Sequence, residues 1–175
     1  MQTLATTTAI LSLLPICYQD FSRRSVHWIY FPLLTVAGIF YSLLFTHSLS
    51  QLLTNTLCNS AFLLLQFGIL KLYFVITRGS ATRLLDNKIG WGDILFLLAA
   101  GFFFSPGSFI LFYLLSLSFS LIFAVVMIRL KPAKYRTVPL AGLQALALSM
   151  LLLFTAYSQH PILTGDWLLN KLWGQ

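Results

Sequence analysis

The 175-residue chain is 58% hydrophobic and only 9% charged. Soluble domains carry about 25% charged residues, so this composition leaves too few polar side chains to cover a water-facing surface. The sequence therefore predicts an integral membrane protein without a sizeable soluble domain. The formal net charge of +7 does not indicate nucleic-acid binding, because the basic residues lie in short loops between apolar segments.

In chain order, the apolar runs predict six transmembrane helices, which form one all-α polytopic bundle covering residues 1–175 as a single domain. The predicted segments are about Leu4–Tyr18, Ile29–Phe45, Leu52–Ile76, Asp93–Phe104, Phe109–Leu130 and Val138–Tyr157. A polar loop is predicted from Gln19 to Trp28, and the turn signal Ser105-Pro106-Gly107 ends the short fourth segment. Residues 160–175 form a C-terminal tail, with a short interfacial helix predicted around Trp167–Trp173.

The third segment places Asn55, Asn59 and Gln66 on one helical face, because they are spaced four and seven residues apart. Amide side chains in lipid need partners, so this face is predicted to look into the bundle. Helix packing explains these residues more simply than a substrate contact does.

The distribution of Lys and Arg predicts the orientation in the membrane. Of the 11 basic residues, all except Lys171 lie in or beside the first, third and fifth loops, which the positive-inside rule assigns to the cytoplasm. We therefore expect a multi-pass protein of the plasma (inner) membrane with both termini on the non-cytoplasmic side.

Carboxylates are scarce, and two of them stand at the ends of apolar segments. The chain has four acidic residues and no Glu, the four being Asp20, Asp86, Asp93 and Asp166. By the predicted topology, Asp20 and Asp93 lie at the same depth near the cytoplasmic face. They can meet if the first and fourth helices are neighbours.

Two carboxylates at one depth suggest an aspartyl protease dyad, in which the two acids share one proton. Gly90 and Gly92 precede Asp93, and their lack of a Cβ would allow close backbone approach and freedom to orient the acid. The structural alternative is that Asp20 balances Arg23 or Arg24 at the interface and that Asp93 is a helix N-cap. The sequence shows no metal-binding constellation and indicates no cofactor.

An Asp followed by a basic run, and then Gly90-Trp91-Gly92-Asp93 at the start of the fourth helix, resembles the type IV prepilin peptidases. These are GxGD intramembrane aspartyl proteases, together with the compact preflagellin peptidases. The segment Val138-Pro139-Leu140-Ala141-Gly142 is similar to a late motif that opens their sixth helix. The resemblance covers about residues 15–148, with three motifs in the same order.

The resemblance implies an aspartic endopeptidase that removes short basic leaders from pilin-like or pseudopilin precursors at the cytoplasmic membrane boundary. Asp20 and Asp93 would be catalytic, and Gly90 and Gly92 would position the backbone. Val26-His27 stands where the family usually has Ile-Pro, and Leu95 replaces a frequent lysine, which bears on substrate choice. The cysteine-rich domain linked to N-methylation is absent from this sequence, so methyltransferase activity is not expected.

Two other functions fit parts of the sequence. A non-catalytic membrane scaffold or assembly factor with the same fold would keep the helices without needing the dyad. A small transporter would need a polar path through the bilayer midplane, where the sequence offers only Asn59 and Gln66 and no internal repeat.

Overall fold

The computed structural model describes residues 2–46, 48–78, 90–130, 139–158 and 163–165. These residues are helical with no strand among them, which confirms the all-α prediction. Six α-helices lie in the described part of the chain: α1 (Gln2–Arg23), α2 (Tyr30–Thr46), α3 (Leu49–Arg78), α4 (Trp91–Ala100), α5 (Pro106–Leu130) and α6 (Leu140–Ser158). The predictions for the basic loop around Arg83 and Lys88 and for a helix at Trp167–Trp173 lie outside the described residues.

Three helical stretches are long and apolar enough to cross a membrane, namely Leu49–Thr77, Pro106–Met127 and Leu140–Ser158. Two shorter apolar helices cover Tyr30–Thr46 and Trp91–Phe103. Large apolar side chains on α3 face outward, Leu64 being 73% and Ile76 74% exposed, as lipid contact requires. Membrane character is therefore supported, and the count of six crossings stays a prediction.

α1 ends later than the hydrophobic run suggested. The prediction of a polar loop from Gln19 is wrong for its first residues, because helical structure continues to Arg23. The helix stops where Arg24 adopts a left-handed φ of 54° and its amide donates to the Asp20 carbonyl at 3.1 Å, a common way to end a helix. Asp20 therefore lies in the last turn of α1, where helix geometry fixes its direction.

The core of the bundle lies between α1 and α6, with α2 and α4 packed beside them. The end of α1 meets the start of α6, so the two helices run antiparallel. Buried residues recur every three or four positions on both helices, as helix packing requires, at Ala5, Ala9, Leu13 and Ile16 on α1 and at Ala141, Ala145, Leu148 and Leu152 on α6. The small alanines let the two backbones come close.

α4 is only 10 residues long and is followed by a 3-10 turn, Gly101–Phe103. This confirms the predicted short fourth segment. Non-helical backbone inside a membrane bundle needs protein partners for its polar groups. Asn59 of α3 is the partner of two such groups, because its Nδ2 donates to the carbonyls of Gly101 at 2.8 Å and Phe104 at 3.0 Å.

A second set of hydrogen bonds holds the chain at Ser105, just after the 3-10 turn. The Ser105 amide donates to the Leu163 carbonyl at 2.8 Å, and the Ser105 hydroxyl donates to Ser108 Oγ at 3.2 Å. The predicted inward face of α3 is confirmed for Asn55 and Asn59, which are both buried, whereas Gln66 is only half-buried.

Candidate active site

Asp20 projects from the last turn of α1 against the first turn of α6. Its side chain is only 8% exposed, and the backbone amide of Gly142 donates a hydrogen bond of 2.5 Å to its Oδ2. A carboxylate in such surroundings needs strong donors, and hydrogen bonds from amides to an anion are among the stronger ones. The start of α6 therefore holds one oxygen of this acid in place.

Asp93 is the third residue of α4 and reaches the same turn of α6 from another side. The backbone amide of Ala141 donates to its Oδ1 at 3.0 Å. The alternative role of Asp93 as an N-cap is wrong, because Gly90 occupies that position and its carbonyl accepts the Asp93 amide at 3.0 Å. Asp93 thus lies inside the helix, with its carboxylate directed to α6.

The two acids bind consecutive amides of one helix N-terminus. The first internal bond of α6 runs from the Leu143 amide to the Pro139 carbonyl at 3.2 Å, so the amides of Ala141 and Gly142 have no partner within the helix. The helix dipole also makes this end positive and favours anions there. As a result, Asp20 and Asp93, which lie 122 and 48 positions earlier in the chain than their partners, accept the hydrogen bonds of the first turn of α6.

The structure thus brings Asp20 and Asp93 together at one end of the bundle, close enough for their charges to interact. The helix packing that brings the two acids together differs from the predicted one. α1 and α4 each pack against α2 and α6, and both acids converge on α6 rather than meeting across a direct pair of first and fourth helices. α6 is therefore the element that builds the site.

The glycines beside the acids provide space. A Cβ on Gly90 would lie 3.1 Å from Asp93 Oδ2, and one on Gly142 would lie 3.1 Å from Asp20 Oδ2. Gly90 has φ −68° and ψ 130°, a conformation open to any residue, so the expected conformational freedom is not what this position requires. Gly92 differs, since a Cβ there would meet Phe31 Cζ at an ordinary 3.7 Å.

Three positions depart from the pattern of the resembled family; Val26 and His27 follow α1, and Leu95 lies in α4. Val26 is half-buried and packs against the core, whereas His27 is exposed. The His27 amide donates to Gln19 Oε1 at 2.9 Å, which ties the loop after α1 back to that helix. Leu95 is 38% exposed on α4.

Sequence reasoning did not assign a role to Ala141 or Gly142, although it singled out the segment that contains them. The available signal was Pro139 followed by small residues at a helix start, where unpaired amides are expected. No role was predicted for Gln144 either, although an amide inside an otherwise apolar run is a signal for a buried polar residue. Among the described residues, no group of three or more His, Cys, Asp and Glu could hold a metal ion.

Chemically, the site offers two carboxylates held side by side by backbone donors. Each acid uses one oxygen in its bond to α6, and the Asp93 carboxylate also interacts with the backbone of Gly90 at the start of its own helix. Two such acids at short range favour a state in which one is protonated and the other is ionised. Comparisons of the chain with models of protein families, with curated proteins and with solved structures found no match.

Proposed function

We propose that this chain is a membrane-embedded aspartic endopeptidase that cleaves the leader peptides of pilin-like or pseudopilin precursors. One observation carries the proposal: two of only four acidic residues converge on consecutive amides of α6. The resemblance to the type IV prepilin and preflagellin peptidases supports it and supplies the substrate class, a precursor with a short basic leader.

The mechanism uses the two acids in complementary protonation states. The ionised carboxylate accepts a proton from a water molecule while the water oxygen attacks the carbonyl carbon of the scissile peptide bond. The protonated carboxyl donates a hydrogen bond to the carbonyl oxygen, on which negative charge develops. The tetrahedral intermediate then collapses, the C–N bond breaks, and a proton passes to the leaving amine.

The hydrogen bonds to α6 serve this chemistry by fixing the geometry. An acid that is already oriented loses little freedom when substrate binds, and misplacement by about 1 Å can cost about a hundredfold in rate. The Ala141 and Gly142 amides donate to one oxygen of each acid, so α6 acts as a common reference for the pair.

The loop charges also predict a location and an orientation for the protein. The protein would lie in the plasma (inner) membrane with both termini non-cytoplasmic and with Asp20 and Asp93 near the cytoplasmic face, as the loop charges predict. Cleavage requires no cofactor in this mechanism, and methyltransferase activity is not part of it.

Cleavage of a leader-bearing precursor in membrane vesicles tests the dyad. We expect Asp20→Asn and Asp93→Asn each to abolish cleavage, because an amide cannot accept the proton from water. The Asn carbonyl oxygen still accepts a hydrogen bond from α6, so both variants should insert and fold. Asp166→Asn is the matched control, since it makes the same change at an acid predicted on the opposite side of the membrane. This variant should cleave the precursor normally.

Full processing by either Asp20→Asn or Asp93→Asn, with membrane insertion verified by alkaline extraction, would refute the catalytic dyad. Loss of cleavage together with loss of the inserted protein would instead identify the acids as structural. The two results are separated by quantifying the inserted protein in each sample.

The non-catalytic scaffold is the second candidate, and one observation favours it. The two carboxylates satisfy amides at the start of α6 that have no partner within that helix, which is a sufficient structural reason for their presence. A scaffold predicts that both Asn variants complement a deletion strain as well as the wild type. A peptidase predicts that neither does.

A further inference from the structure

Gln144 is a polar residue inside the bundle with no hydrogen bond within the described part of the protein. Its side chain is 0% exposed, and neither Nε2 nor Oε1 has a hydrogen-bond partner among the described residues. Burying an amide without partners costs free energy, because its bonds to water are lost and not replaced. Such groups are rare in native proteins and need a reason.

Gln144 lies one helical turn beyond the site. It follows Ala141, whose amide binds Asp93, by three residues, so the two share a face of α6. At 1.5 Å per residue, Gln144 is about 4.5 Å further along the axis, away from the helix start that holds the acids. It belongs to the buried stripe of α6 that continues through Leu148 and Leu152.

The neighbouring positions on this stripe are apolar, and an apolar side chain at 144 would avoid the cost of burial. A side-chain amide presents an acceptor oxygen and an NH₂ donor. A peptide group presents one acceptor and one donor, so the two are complementary. An extended substrate segment that enters a membrane site also lacks water for its peptide groups and needs protein partners for them.

We propose that Gln144 binds a main-chain peptide group of the substrate, next to the scissile bond on its membrane side. The inference rests on the proposed peptidase function and adds a substrate-binding residue to it.

Gln144→Met tests the inference, because methionine has a similar length and no hydrogen-bonding amide. We expect KM for a leader-bearing precursor to rise about tenfold, which corresponds to the loss of one hydrogen bond, with a smaller change in kcat. We also expect the Tm of the substrate-free protein to rise, since an unpaired buried amide has been removed. Leu148→Met is the matched control in the same stripe and should leave KM unchanged.

Cleavage by Gln144→Met with wild-type KM would overturn this inference and leave the proposed function intact. A lower Tm in Gln144→Met would also overturn it, because that result shows a stabilising structural role. A fall in kcat at unchanged KM would exclude substrate binding as the role of the amide. Absence of cleavage by the wild-type protein would refute the peptidase function and this inference together.

Discussion

Gly142 contributes to the candidate site in two ways, through its backbone amide and through its lack of a side chain. Gly142 donates its amide to Asp20, and the same residue leaves room for that acid. An added Cβ would lie 3.1 Å from the Cβ and Oδ2 of Asp20 and from Cδ2 of Phe21. The hydrogen bond and the absence of a side chain are therefore two parts of one requirement.

We predict that Gly142→Ala lowers kcat/KM about tenfold to a hundredfold, because the added methyl group pushes Asp20 from its place against α6. The measurement is cleavage of a leader-bearing precursor by equal amounts of inserted protein. Gly68→Ala is the control, since a Cβ there would have no heavy atom within 4 Å. Alanine favours a helix over glycine by about 1 kcal/mol, so this control should keep its activity and gain stability.

Equal activity of Gly142→Ala and the wild type would show that the position of the Asp20 carboxylate does not depend on this contact. The proposed geometry of the dyad would then be incorrect.

Among the helices of the described residues, α4 is the shortest α-helix, and it carries Asp93. Its 10 residues rise about 15 Å, half of the roughly 30 Å hydrocarbon core. Asn59 bonds to the carbonyls after its C-terminus, while Asp93 bonds to α6 near its N-terminus. α4 is therefore fastened at both ends to other helices.

We predict that Asn59→Leu lowers the free energy of unfolding by about 1–3 kcal/mol, because it leaves two buried carbonyls without this donor. Thermal unfolding in detergent measures the effect. Asn55→Leu is the matched control, as Asn55 is buried one turn earlier on the same face and does not bond to Gly101 or Phe104. Equal destabilisation by the two variants would show that the hydrogen bonds from Asn59 to Gly101 and Phe104 add no stability beyond that of a buried amide.

For the whole molecule, the loop charges define an orientation that can be tested with single cysteines. In a variant with Cys17 and Cys58 changed to Ser, we predict that Ser25→Cys reacts with a membrane-impermeant thiol reagent only from the cytoplasmic side. Gln51→Cys should react only from the opposite side, because α2, a 17-residue helix of about 25 Å, lies between them. Both native residues are exposed.

Sealed vesicles of both orientations provide the measurement. Labelling of both cysteines from the same side would mean that α2 does not cross the membrane, and the six-crossing topology would fail with it.

The sequence by itself determined the all-helical class, the membrane character and the presence of two acids at the ends of apolar segments. These properties follow from local features: apolar runs, the turn at Ser105-Pro106, the rarity of carboxylates and the placement of Lys and Arg. The sequence also predicts a common membrane depth for Asp20 and Asp93, because depth follows from position within a hydrophobic segment. It misjudged the end of α1, where the backbone at Arg24 rather than hydrophobicity ends the helix.

Only the tertiary structure decided how the acids meet. Their common partner is the first turn of α6, at separations of 122 and 48 residues, and no periodicity reports contacts between such distant segments. The same packing decided that Gly90 and Gly142 are needed for space beside carboxylates and that the Gln144 amide is buried without a partner. Hydrophobic pattern sets which residues enter a helix and at what depth, whereas the arrangement of the helices sets which buried polar groups find one another.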